Sequence, residues 1–168
     1  IPALDVVGQG FEKKTTYLPQ LLMAAEAAKA AFEVIKSSMT VAEPAAEQKM
    51  PIVLATVKGD IHDIGKNIVK LLLENYGYPV TDLGRDVPPE AVAEAAVRLH
   101  APLVGLSALM TTTVPAMEET IHQLNALDNP PAVMVGGAVV TPDYAQKLGV
   151  HYAADARQAA EVTKSILG

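Results

Sequence analysis

The run Lys58-Gly59-Asp60-Ile61-His62-Asp63-Ile64-Gly65 sets one histidine between two carboxylates, Asp60 two residues before it and Asp63 directly after. A histidine beside a carboxylate has the layout of a metal ligand whose second ring nitrogen is held by the acid, fixing the tautomer and raising the basicity of the coordinating nitrogen. On that reading Asp60 orients His62, while Gly59 and Gly65 let the backbone turn sharply and leave room for a bulky ligand. A plainer reading stands beside it: His62 caps the next helix or satisfies a hydrogen bond within its loop. Two further runs carry the same ambiguity. Ser107-Ala108-Leu109-Met110-Thr111-Thr112-Thr113 offers four hydroxyls that either cap a helix or line a site. Gly136-Gly137-Ala138 is either a turn or a place where a flat or extended group approaches the backbone. His100, His122 and His151 are scattered over helix ends and a strand and read as surface or structural residues.

Composition narrows the chemistry. The 168 residues contain no cysteine, which removes disulfides, thiolate catalysis and Cys-based zinc or iron-sulfur sites, so any metal must be held by His or carboxylate. A net charge of −6 without clustered Lys and Arg argues against a nucleic-acid partner. No apolar run approaches the roughly 20 residues of a membrane span, and the N-terminus lacks the order of a secretory signal, so a cytoplasmic location is expected. The first residue is Ile1, which suggests a chain cut from a longer polypeptide.

The elements that must position these runs follow from the hydrophobic pattern. Apolar, β-rich stretches at Ile52 to Val57, Pro79 to Leu83, Leu103 to Ser107, Val133 to Val135 and Val150 to Ala153 alternate with helical periods. The helices are expected near Gly65 to Tyr76, Pro89 to Leu99, Val114 to Leu127, Pro142 to Leu148 and Ala156 to Leu167, with the Pro88-Pro89 pair as a helix start. Strand and helix alternating in this way predict an α/β fold: a flavodoxin-like, doubly wound, five-stranded parallel sheet of order 2-1-3-4-5. Ligands in such sheets bind beyond the carboxyl ends of strands 1 and 3, where the order reverses. The three chemistry-bearing runs begin at the ends of strands 1, 3 and 4.

Ahead of the sheet, Leu4, Val7 and Phe11 share one helical face, and from Leu18 an Ala-rich period through Leu21, Leu22, Ala25 and Ala28 predicts a second helix. These two helices must cover something. Residues 38–50, with Pro44, read as a linker and hinge candidate, which divides the chain into helices over 1–37, the linker, and an α/β domain over 51–168.

Taken together, Asp60-x-His62-x-x-Gly65, Ser107-x-Leu109 and Gly136-Gly137, in that order and on those loops, resemble the cobalamin-binding fingerprint. The resemblance implies a cobalamin (vitamin B12, in its methyl-carrying form methylcobalamin) whose nucleotide tail leaves the cobalt and inserts into the sheet domain. His62 would then be the cobalt ligand and Asp60 its hydrogen-bond partner. Ser107 and Leu109 would line the tail pocket, and Gly136 and Gly137 would make room for the nucleotide. Gly59, Asp63, Ile64, Gly65 and Thr111 complete the implied cofactor-binding set. The family's relay from His through Asp usually ends at a Ser six residues after the motif Ser. Here that position is Thr113, which keeps the hydroxyl and adds a methyl.

The N-terminal helices resemble the second half of the helical cap of cobalamin-dependent methionine synthase, and residues 1–37 are expected to form a partial cap over the corrin. Phe11 and Leu18 then correspond to apolar residues that shield the methyl group; their alternative is ordinary helix-helix core. The implied function is a methyl-carrier module of a cobalamin-dependent methyltransferase, a part of an enzyme rather than a complete one. The favoured form is a methionine synthase, whose partners are domains that bring methyltetrahydrofolate as donor and homocysteine as acceptor. The alternative is a free-standing corrinoid protein serving methyltransferases for methanol, methylamines or methoxylated aromatics. A cobalamin-based sensor is a third reading. A flavin-binding domain is a fourth, disfavoured because the two carboxylates after strand 1 would repel phosphate.

Overall fold

In the computed structural model, which describes residues 2–38 and 49–168, the chain forms a parallel sheet flanked by helices and preceded by a helical pair. Most of the expected linker, including Pro44, lies outside the described residues. The helical pair is α1 (Pro2–Glu12) and α2 (Leu18–Ser38). Then follow β1 (Ile52–Thr56), α3 (Ile64–Asn75), β2 (Val80–Asp82), α4 (Pro89–Leu99), β3 (Leu103–Ser107), α5 (Val114–Asn125), β4 (Ala132–Gly136), α6 (Pro142–Leu148), β5 (His151–Tyr152) and α7 (Ala156–Leu167). The sheet is parallel throughout, in the order β2-β1-β3-β4-β5 expected from the sequence.

The apolar strands are buried on both faces, and alternate residues divide the core in two. Val53, Ala55, Val104, Leu106, Val133 and Val135 pack against Val92 and Ala95 of α4 and Met117, Ile121 and Leu124 of α5. Ile52, Leu54, Leu103 and Met134 face the other way, toward Leu73 of α3 and Ala159 and Ala160 of α7. The helical pair joins this second side, α2 packing on α3 and α1 on α2.

Local signals set the helix ends. α4 starts at the Pro88-Pro89 pair and stops where His100 turns left-handed at φ 49°. α6 begins with Thr141, whose hydroxyl accepts from the Tyr144 N–H, and ends at Gly149, φ 69°. α7 is capped by the Asp155 carboxylate, which accepts from the Gln158 N–H at 2.8 Å. His100, His122 and His151 are all exposed.

Differences from the sequence reading are confined to ends. Val57 lies outside β1 and bridges only to Val87, and β2 and β5 are shorter than expected because each is an edge strand with one neighbour. β4, paired on both sides, is longer. Helix α3 starts one residue earlier, at Ile64, so Gly65 falls within its first turn. Among the described residues no helix is long and apolar enough to cross a membrane.

Leu103, fully buried at the centre of the sheet, tests this core. Leu103→Ala is expected to lower the unfolding free energy by about 2–5 kcal/mol with little change in the denaturant slope, measured by urea titration.

Candidate functional site

Asp60 is 0% exposed, yet its carboxylate accepts five hydrogen bonds. Oδ1 takes the His62 backbone N–H at 3.0 Å and lies 2.8 Å from His62 Nδ1. Oδ2 takes the Leu109 N–H at 2.6 Å, the Met110 N–H at 3.2 Å and the Thr113 hydroxyl at 3.0 Å. Burial by itself pushes this carboxyl up, but the His62, Leu109 and Thr113 donors outweigh it and hold the group far below the usual carboxylate range. A permanent anion therefore faces Nδ1, which makes that nitrogen the protonated one and leaves Nε2 as the free lone pair.

The His62 side chain is 46% exposed and borders a cavity of about 830 Å³. The cavity begins at the carboxyl ends of β1, β3 and β4 and continues between the sheet and helices α3 and α7. Its floor is a row of register partners, Leu54, Gly105 and Met134, on three adjacent strands. Gly105 is the gap in that row: a Cβ there would come within 2.5 Å of Leu54 Cδ2. Around His62, Ile61 (61% exposed), Ile64 (66%) and Leu109 (42%) turn apolar surface outward, and all three border the cavity.

The remaining expected residues divide. Asp63, Ile64, Gly65, Ser107, Leu109, Gly136, Gly137 and Phe11 line the cavity with His62. Gly59, Asp60 and Thr113 do not; they stand behind His62. Gly59 takes φ 83° in the turn that leads to Asp60. Thr113 is buried, with its hydroxyl oxygen 2.8 Å from the Met110 carbonyl as well as 3.0 Å from Asp60 Oδ2. Its single proton is thus shared between two protein acceptors, which suits an orienting donor better than a conduit to solvent. Thr111 is exposed in a short 3-10 turn outside the cavity.

Four other expected features are placed by the structure. His62 is not the helix cap; Asp63 takes that position, without a side-chain capping bond. The glycine pair answers first to the protein's own packing: a Cβ on Gly137 (φ 120°) would lie 1.9 Å from the Ala108 carbonyl oxygen, and one on Gly136 would lie 2.8 Å from that of Ala153. Gly65, by contrast, needs no special backbone conformation, and a Cβ there would meet nothing within 4 Å. In the helical pair, Leu18 lies away from the cavity, and Gly8, Leu21 and Leu22 take its place beside Phe11. Leu18 is the first residue of α2, a turn before the part that reaches the cavity.

Two features escaped the sequence reading. Gly105, a glycine inside a strand, is a sequence signal of close approach. Lys66 lines the cavity while its ammonium is buried, bonded to Asp82 at 2.5 Å and to Asn67 at 3.0 Å. Burial raises the Asp82 carboxyl, but Lys66, the Gly84 N–H and Lys70 together bring it below its ordinary value.

Because the folded-state pKa of Asp60 lies below the unfolded value of about 4, its contribution to stability is complete above that pH and fades as pH falls through and below it. Asp60→Asn is expected to cost about 2 kcal/mol or more near pH 7, and the gap from wild type should narrow at pH 3. Urea unfolding at both pH values measures it; a pH-independent gap would contradict the assignment.

A family model described as "B12 binding domain" matches residues 50–164, and a second of that description matches residues 1–36. Dimethylamine corrinoid protein 1 of Methanosarcina acetivorans is 41% identical over 168 residues, covering 98% of this chain and 78% of that protein. Among solved structures, a cobalamin-binding protein from Desulfitobacterium hafniense is similar with TM-score 0.85 and 32% identity, over 98% of this chain and 78% of that one. The methanol:cobalamin methyltransferase complex of Methanosarcina barkeri follows with TM-score 0.79 and 34% identity, over 97% and 62%. With a family match over most of its length and a relative 41% identical of which it covers 78%, this chain belongs to the B12-binding corrinoid proteins.

Proposed function

We propose that the chain is the corrinoid-carrying component of a methylamine or methanol methyltransferase system, in which His62 would be a ligand of the cofactor's cobalt. The observation that carries this reading is the His62 imidazole, tied through Nδ1 to a buried carboxylate and set at the edge of a cavity of about 830 Å³. The relatives support the choice of system, being corrinoid proteins of dimethylamine and methanol systems. The expectation of a methionine synthase module, with methyltetrahydrofolate and homocysteine domains as partners, accordingly gives way to its alternative, and methionine biosynthesis with it. The implied partner is a separate methyltransferase subunit that binds the methyl donor.

The residues present fit such a cofactor on three counts. The cavity has the size of an extended organic tail, within the roughly 300–1,000 Å³ of ligand pockets. Its floor is kept open at Gly105, where a side chain would fill the slot. Ile61, Ile64 and Leu109 surround His62 with apolar surface that a broad, flat ligand would remove from water. A corrinoid held there supplies the metal that accepts and passes on the methyl group.

The chain's own residues bind, orient and exclude water. Asp60 keeps the proton on Nδ1 and Nε2 free to coordinate. The His62 and Leu109 N–H groups and the Thr113 hydroxyl keep Asp60 ionised, so the imidazole meets a negative charge on its far side. Ser107, paired with the buried Thr56 hydroxyl at 3.1 Å, supplies a polar group on the cavity wall. Phe11, Leu21 and Leu22 form an apolar side wall from the helical pair. A partner subunit reaching a corrinoid held in the cavity would have to pass this wall, a movement on the microsecond-to-millisecond scale usual for such gating.

Electron paramagnetic resonance of the protein loaded with Co(II) cobalamin tests the ligand. Labelling histidine with 15N is expected to change the nitrogen hyperfine pattern in wild type and not in His62→Gly; an unchanged pattern in wild type would overturn the reading. Asp60→Ala should weaken the ligation about 10–100-fold, read from the ligated fraction. Gly105→Val, which fills the floor, is expected to reduce corrinoid affinity at least about tenfold in an absorption titration while circular dichroism stays native.

A further inference from the structure

The turn that carries Asp60 and His62 is gripped at two places, and only one of them is the Asp60 carboxylate. The other is Asp86, on the segment between β2 and α4. Its Oδ1 accepts the Gly59 N–H at 2.7 Å, and its own backbone N–H donates to the Asp60 carbonyl at 2.9 Å. These reciprocal bonds bracket the peptide between Gly59 and Asp60. The neighbouring Val57 and Val87 form a β-bridge, so the two segments run together up to the grip.

Asp86 makes these bonds from φ 54°, a left-handed conformation that carries a cost for residues with a Cβ and that Asp and Asn tolerate best. Gly59 opposite is also at positive φ, 83°. Two left-handed residues bonded across 27 positions of sequence make a rigid joint. Asp86 is exposed and lines no part of the cavity, so ligand contact does not explain it.

We propose that Asp86 is a positioning residue for the proposed metal ligand: it fixes the pivot of the Gly59-Asp60 turn and thereby the direction in which His62 presents Nε2. The Asp60 carboxylate ties the turn to the β3–α5 loop through the Leu109, Met110 and Thr113 donors; the Asp86 grip ties the backbone of the same turn to the β2–α4 segment on a second side. This inference rests on His62 being the proposed cobalt ligand.

Three substitutions separate the hydrogen bond from the backbone conformation. Asp86→Asn keeps an acceptor oxygen and tolerates the left-handed conformation. Asp86→Gly keeps the conformation and loses the acceptor, and Asp86→Ala loses both. In the cofactor-free protein, the Gly59 amide is expected to exchange with deuterium about tenfold faster in the Gly variant than in wild type, with the Asn variant close to wild type. In the Co(II)-loaded protein, the 15N-histidine-ligated fraction should fall by roughly half or more in the Gly variant and further in Ala, with Asn restoring it. Thermal melts of all three cover the case in which Ala merely unfolds, since the Gly variant carries no added backbone strain.

If the Gly variant matches wild type in Gly59 exchange and in ligated fraction, the latch is refuted. Faster exchange with an unchanged ligated fraction also refutes it, because Asp86 would then stabilise the turn without directing His62. If wild type itself shows no protein nitrogen on cobalt, the function proposed above fails and the positioning role falls with it, an outcome separate from the first two because it appears before any variant is made.

Discussion

A carboxylate taken out of water demands donors in place of its hydration shell, and at Asp60 the protein supplies them from three parts of the loop system: the His62 backbone and ring, the Leu109 and Met110 amides, and the Thr113 hydroxyl. The partners on the β3–α5 loop are about fifty residues distant in sequence, so satisfying one anion draws together the ends of two adjacent strands. Everything that His62 can do follows from this. The ring has its tautomer chosen by a neighbour that does not take up a proton near neutrality, and its free nitrogen faces the open side because the other side is occupied.

The two sides of the sheet do different work. Against α4 and α5 the strands present small, branched side chains in a continuous core. Against α3 and α7 the same strands carry the row in which Gly105 stands between Leu54 and Met134, and the packing opens into the cavity. Folding stability can therefore rest on the first side and ligand space on the second, with the parallel register holding both in place. The helical pair lies on the cavity's side, α2 against α3, which is where a wall for the open end is needed.

Most of the architecture was legible because its signals are local. Continuous apolar strands, helical periods and proline or glycine punctuation gave the alternation and the strand order, and errors arose where an edge strand had too few neighbours to extend its pairing. Asp60 and His62, two residues apart, were equally readable, and Ser107 to Thr113 were placed by the rule for switch points, although only part of that run faces the cavity. What could not be read was contact across the fold. The role of Asp86 depends on a bond to Gly59, and Leu18 and Leu21 differ only in where α2 meets the cavity. At Gly136 and Gly137 the sequence reports that the backbone is approached closely but not by what, and the structure adds the Ala153 and Ala108 carbonyls as neighbours.

The contact between Gly137 and Ala108 also bears on how such proteins diverge. The β3–α5 and β4–α6 connections touch main chain to main chain, with no side chain between them to absorb a shift. Neither can be lengthened or re-angled alone, so over evolutionary time, or in a laboratory graft, they should be inherited as one block, while the surfaces of the outer helices drift freely.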